Sequence, residues 1–283
     1  MIDRFEGAGA VITGGASGIG YATAESLGRR GANVVLADVE AAALARACDQ
    51  LRAIGVDAHG VVCDVRDRHQ VQSMADGAFD HLGRVDVLFN NAGVGVGGPI
   101  VTMSHDDWRW VVDVNLWGPI HGVESFLPRM IEQRTPGHVV FTASFAGLVP
   151  NVGLGSYCVT KYGVVALAEV LAKEMRQHGI GVSVLCPMRV ATNIATSERN
   201  RQLDYGGPKV SPRIPDQDED NGELAGRVIP VGEVAERVIE AIVTNALYIV
   251  THEESRDPVR RRFQRIEQAY ATLADRQRAR GES

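Results

Sequence analysis

Thr13-Gly14-Gly15-Ala16-Ser17-Gly18-Ile19-Gly20 joins an apolar run, Ala8 to Thr13, to a segment with helical spacing, Gly18 to Arg30. A buried strand that breaks into glycines and re-forms as a helix is the opening unit of a βαβ sheet. Each glycine has a reading. Gly14 allows a sharp turn. Gly18 lets backbone approach a pyrophosphate. Gly20 lets the helix pack close to the sheet. Phosphates then meet free N–H groups at the positive end of the helix dipole, with Ser17 and Ile19 beside them.

Downstream, short apolar runs alternate with helical stretches. Strands are expected at 33–38, 58–64, 85–90, 138–143, 181–186 and 246–250. Helices are expected at 41–54, 71–82, 105–130, 156–178 and 231–245. Strands separated by helices of this length imply parallel crossovers. Continuous rather than alternating apolar strands imply that both sheet faces are covered. The expected fold class is therefore α/β, a single doubly wound parallel sheet of about seven strands with helices on both faces. Residues 1–255 would form the dinucleotide-binding and catalytic domain, and 256–283 a C-terminal helical extension. In that extension Val259, Phe263, Ile266, Tyr270 and Leu273 recur at spacings of three and four, which predicts an amphipathic helix docked on the body with a solvated arginine face. Residues 193–227 are polar, contain the acidic run Asp216 to Asp220, and show no sustained apolar period. They are expected to form a mobile lid.

Composition sets limits. The chain has 283 residues, 45% hydrophobic and 23% charged, with net charge −6, which argues against a nucleic-acid binder. Cys48, Cys63, Cys158 and Cys186 form no C-x-x-C pair and read as buried free thiols, so no metal site is expected. The N-terminus lacks an apolar signal-peptide core and no stretch is long enough to span a membrane. A cytoplasmic protein without membrane or nucleic-acid partners is expected.

Asp38 ends the second strand, 18 residues after Gly20. A carboxylate there can accept hydrogen bonds from both adenosine ribose hydroxyls and would repel a 2′-phosphate. The adjoining positions hold Ser17 and Val39 rather than arginine, so NAD is favoured over NADP. Asp64, at the end of the third strand, is placed to meet the adenine amino group. Each aspartate has an alternative reading as the N-cap of the helix that follows it.

Tyr157 and Lys161 lie four apart on one helical face, and Ser144 stands thirteen residues before Tyr157, after the fifth strand. An unperturbed tyrosine titrates near pH 10. A neighbouring ammonium favours the phenolate, which suits Tyr157 to act as general base toward an alcohol or acid toward a ketone. Ser144 can hold the substrate oxygen.

In these residues the sequence resembles the short-chain dehydrogenases/reductases. The resemblance covers residues 5–250 and rests on Thr13-Gly-x-x-x-Gly-x-Gly20, Asp38, Asp64-Val65, Asn90-Asn-Ala-Gly93, Asn115, Ser144, Tyr157-x-x-x-Lys161 and Pro187. It implies a Rossmann-like fold and a catalytic tetrad of Asn115, Ser144, Tyr157 and Lys161, with the Asn115 carbonyl holding a water in a proton relay through Lys161. It also implies that Val65 and Asn91, Ala92 and Gly93 line the adenosine side of the cofactor, and that Val190 and Thr192 hold its carboxamide. Met188 departs from the pattern, since the family has glycine after this proline.

The expected substrate pocket, Phe145, Ala146, Leu148, Val149, Leu154, Met188, Ile194 and Tyr205, is almost wholly apolar. That favours a bulky hydrophobic or aromatic secondary alcohol over a sugar or a small hydroxy acid. Thr192-Asn-Ile-Ala195, Asn245-Ala-Leu-Tyr-Ile-Val250 and the helical tail further resemble bacterial dehydrogenases of benzylic alcohols derived from lignin aryl ethers. A hydroxysteroid or 3-oxoacyl reductase is the alternative enzyme, and a non-catalytic nucleotide-binding protein the alternative outside catalysis. The expected protein partner is a further copy of the chain, in a homodimer or homotetramer.

Overall fold

The computed structural model describes residue 2, residues 4–209 and residues 227–280. Seven strands form one parallel sheet: β1 Gly9–Thr13, β2 Asn33–Asp38, β3 Ala58–Val62, β4 Val87–Asn90, β5 Gly137–Thr142, β6 Ile180–Cys186 and β7 Tyr248–Val250. Their order is β3-β2-β1-β4-β5-β6-β7. The chain therefore leaves the β1–β2–β3 half and restarts at β4, beside β1. A crevice opens there at the carboxyl ends of the strands, where open α/β sheets bind ligands.

Successive residues of each strand point to opposite faces, and both faces are covered. Val11, Val35, Leu88, Val139, Phe141 and Val184 face α3 Arg68–Leu82, α4 His105–Val112, α5 Gly118–Glu132 and α6 Gly155–Glu174, packing with Met74, Trp110, Phe126 and Leu171. Ala10, Ile12, Val34, Leu36, Phe89 and Leu185 face α1 Gly18–Gly28, α2 Ala41–Ala53 and α7 Val231–Thr244, packing with Leu27, Leu51, Val238 and Ile242. Fully burying each such side chain contributes about 1.5–3 kcal/mol, and the continuous apolar strands follow from this two-sided core.

Four expectations need correction. The helix expected over 105–130 runs unbroken from 105 to 132 but is not regular throughout: a widened π turn, Asp113–Trp117, lies between α4 and α5, with Gly118 N–H donating to the Asp113 carbonyl. Such one-turn bulges recur at functional sites, and this one carries Asn115. The C-terminal helix, α8 Arg256–Ala279, is not docked through its apolar stripe: Phe263, Ile266, Tyr270 and Leu273 are 42–69% exposed, and Pro258 is its one buried residue. One contact of α8 with the body is the Arg262 guanidinium, which lies 5.1 Å from the Tyr162 ring centre.

Third, residues 194–205 of the expected lid are not without secondary structure but fold as two short 3-10 turns, Ile194–Asn200 and Leu203–Tyr205. Polar anchors replace the missing apolar period. Arg201 is fully buried against Asp107 at 2.5 Å, Ser197 Oγ accepts from Gly95 N–H at 3.0 Å, and Tyr205 Oη donates to Asp113 at 2.6 Å. The remainder of the expected lid, 210–226 with its acidic run, lies outside the described residues. Fourth, half of the expected apolar pocket is buried away from the cleft. Phe145, Ala146 and Val149 are buried in the core, and Tyr205 is buried between the guanidinium groups of Arg66 and Arg109, at 4.7 and 5.0 Å from its ring centre.

Candidate active site

The crevice is a cleft of about 630 Å³. Its floor is the glycine turn. Gly14 has φ +63°, and a Cβ there would lie 2.9 Å from the Ala92 Cα. Gly18 has φ +59°, a region open mainly to glycine. Gly20 does not line the cleft. A Cβ on Gly20 would stand 2.3 Å from the Gly14 carbonyl, so its absence lets α1 sit down on the turn. The first turn of α1 holds no acidic residue and Ser17 makes no side-chain cap, which leaves its N–H groups facing the cleft for an anion.

Asn91 closes the turn from β4. Its Nδ2 donates to the carbonyls of Thr13 and Gly14 at 3.0 and 3.2 Å, and its Oδ1 accepts from Thr142 Oγ1 at 2.9 Å. Ile19, Val65, Ala92, Gly93, Val190 and Thr192 complete the wall.

Asp38 points into the cleft and accepts from Ala16 N–H and Glu40 N–H, each at 3.1 Å. Burial pushes its carboxyl upward while those N–H groups oppose the shift. It does not cap α2, which starts at Ala41 with Glu40 in the N-cap position. Asp64 does not cap α3 either, since Asp67 accepts from His69 N–H and Gln70 N–H. Asp64 lines the cleft with its carboxylate clamped by Arg66 at 2.6 Å and by Gln202 Nε2 at 3.2 Å.

At the opposite end β5 and α6 bring three groups together. Ser144 follows β5, and its Oγ accepts from Ala146 N–H at 3.1 Å. Tyr157 and Lys161 rise from the first two turns of α6, with Lys161 Nζ 5.5 Å from the Tyr157 ring centre. Lys161 is buried, and its Nζ donates to the Thr142 carbonyl at 2.7 Å. Burial lowers its ammonium to about 8. Burial pushes the Tyr157 phenol up to about 12, against the hydrogen bond it shares with Ser144. Asn115 does not line the cleft. Its amide brackets Val94, accepting from the N–H and donating to the carbonyl at 2.8 Å each, and so fixes the loop below Tyr157.

Several wall residues carried no signal in the sequence. Trp110, Val114 and Val94 line the cleft with Met188 and Ile194, the two members of the expected apolar pocket that do face it. Arg199 and Asn200 reach Glu40 from the far side of the cleft, at 2.5 and 2.9 Å. An arginine therefore does stand near the Asp38 edge, delivered from 159 residues away and not from the adjoining positions.

The meeting of these groups at the switch point of a parallel sheet defines an α/β oxidoreductase. The chain belongs to the short chain dehydrogenase family, whose model matches residues 8–203. It is 35% identical over 268 residues to the C alpha-dehydrogenase of Sphingobium sp. strain SYK-6, covering 93% of this chain and 87% of that protein. It is 37% identical over 248 residues to the 1-deoxy-11-beta-hydroxypentalenate dehydrogenase of Streptomyces avermitilis, covering 87% and 85%. A crystal structure of a short chain dehydrogenase/reductase from Burkholderia phymatum in complex with NAD superposes with TM-score 0.87 at 41% identity, covering 95% of this chain and 97% of that one.

Proposed function

We propose that the protein is an NAD-dependent dehydrogenase that interconverts a hydrophobic or aromatic secondary alcohol and its ketone. The observation that carries this reading is the approach of Ser144, Tyr157 and Lys161 within a cleft whose other end holds the α1 N-terminus and Asp38. The chain's residues fit the dinucleotide: glycines where a Cβ would intrude, free N–H groups for the pyrophosphate, and a carboxylate for ribose hydroxyls. The NAD-bound relative and the dehydrogenase names of the others agree with it.

Bound NAD supplies the hydride acceptor. Gly14, Ser17, Gly18 and Ile19 hold the pyrophosphate end. Asp38, Asp64, Val65, Asn91, Ala92 and Gly93 frame the adenosine, and Val190 and Thr192 the carboxamide. Ser144 Oγ donates to the substrate oxygen, and Tyr157 Oη takes the alcohol proton. Burial opposes the phenolate, so a compensating positive charge is required, and Lys161 is the cation beside the ring. Asn115 positions the Val94 loop and completes the proton relay through Lys161. Residues 193–209 exclude water from the reacting groups.

The substrate end is apolar, formed by Val94, Trp110, Val114, Met188 and Ile194. A sugar would leave its hydroxyls unpaired there. The similarity to the C alpha-dehydrogenase supports benzylic alcohols within this class. A panel of benzylic, steroid and aliphatic secondary alcohols with NAD, followed by nicotinamide absorbance, tests the reading. Turnover of none, with either nucleotide, overturns it. A second copy of the chain is the proposed partner: the α8 stripe, uncovered among the described residues, repeats at four and three residues, the spacing of a helix–helix seam.

A further inference from the structure

Arg199 is held in two ways. Its Nη1 donates to the Thr196 carbonyl and hydroxyl at 3.0 and 3.2 Å, which fixes the guanidinium on its own turn. Its Nη2 points across the cleft to Glu40 Oε1 at 2.5 Å, and Asn200 Nδ2 converges on the same oxygen at 2.9 Å. Two donors from one turn thus frame an anion position, and the chain's own carboxylate occupies it. Hydrogen bonding from Asn200, followed by Arg199, holds the Glu40 carboxyl below its ordinary range despite some burial. Glu40 is two residues beyond Asp38, and all four side chains line the same end of the cleft.

We propose that Glu40 fills, from within the chain, an anion site built by Arg199 and Asn200, and thereby makes the protein reject a nucleotide carrying a 2′-phosphate. Asp38 repels such a phosphate directly. Glu40 acts differently: it pairs with the guanidinium that Arg199 brings across the cleft. With both carboxylates present, Asp38 and Glu40 oppose the Arg199 guanidinium at this edge, and Arg46 acts on Glu40 as a further cation. Without them it carries an unopposed guanidinium, the donor best suited to phosphate. Glu40 is then a specificity-determining residue, and the fold holds a masked 2′-phosphate site.

The inference rests on the cofactor reading above, and the test separates the two. Dissociation constants for NADH and NADPH are measured by nucleotide fluorescence in the parent, in Asp38→Ala, in Asp38→Ala with Glu40→Ala, and in the triple variant that adds Arg199→Ala. The expected result is that adding Glu40→Ala to Asp38→Ala tightens NADPH by at least about tenfold, the worth of one hydrogen bond to a charged group. NADH should not tighten comparably, and Arg199→Ala should remove the gain. No NADPH gain, an equal gain for NADH, or a gain that survives Arg199→Ala overturns the inference. A parent that binds neither nucleotide overturns the cofactor reading instead.

Discussion

Arg201 and Asp107, 94 residues apart in the chain, meet at 2.5 Å under the outer wall of the cleft, with the Arg201 side chain fully buried. Lys209 adds a second cation to Asp107 at 3.3 Å, and Glu198 a second carboxylate to Arg201 at 3.5 Å. This pair orders a segment whose apolar content is too sparse to order itself. Asp107→Ala leaves a buried guanidinium short of its partner, which costs about 3–5 kcal/mol. Tm should fall on the order of 10 °C, and nucleotide KM should rise as residues 194–205 loosen. Burial works against ionisation of Asp107, but hydrogen bonds from Ser104 and Arg201 hold its carboxyl at about 2. A depressed carboxylate contributes stability above its unfolded value, lost as pH falls toward 2. The Tm gap between parent and Asp107→Ala should therefore close on acidification. An unchanged Tm at neutral pH contradicts the account.

Tyr157→Phe removes the acid/base hydroxyl and leaves the ring in place. Turnover should fall by roughly 10²–10⁴-fold, with the dissociation constant for NADH nearly unchanged. Steady-state rates and nucleotide fluorescence check both halves. Turnover within about twofold of the parent contradicts the role given to Tyr157.

Lys161 is a buried cation whose ammonium is lowered to about 8 from an ordinary 10.5. Between those values the unfolded chain holds a proton that the folded chain has released, so this group makes stability rise with pH. Lys161→Met lacks that contribution. Thermal unfolding of the two proteins should show the parent gaining on the variant as pH rises from about 8 to 10.5, and no further change below 8. Turnover by the variant should be lost at every pH. A Tm difference that is flat across this range would show that Lys161 is not desolvated.

Phe263, Ile266, Tyr270 and Leu273 leave α8 with an apolar stripe that nothing in the chain covers among the described residues. Replacing all four by serine should lower the oligomeric state seen by light scattering, while far-UV helix content and monomer folding persist. An oligomer of unchanged mass would place the subunit contact elsewhere.

The parallel sheet, the glycine turn and the Ser144, Tyr157 and Lys161 group were all legible in the linear chain. Each depends on short-range regularities: apolar runs of strand length, a turn that needs glycine φ values, two side chains four apart on one helix. Such signals survive without knowledge of the partner, because strand, turn and helix geometry dictate them locally. The Arg201–Asp107 pair and the Arg199–Glu40 contact had no such signal. Polar contacts between distant residues carry no period, and their partners become neighbours only when the sheet assembles. For the same reason Phe145 and Tyr205, apolar and close in sequence to the site, gave no sign that they would turn into the core or between two arginines. The α8 spacing correctly marked one face as apolar. Whether that face met the body was decided by the path of the chain after β7, and no described residue covers it.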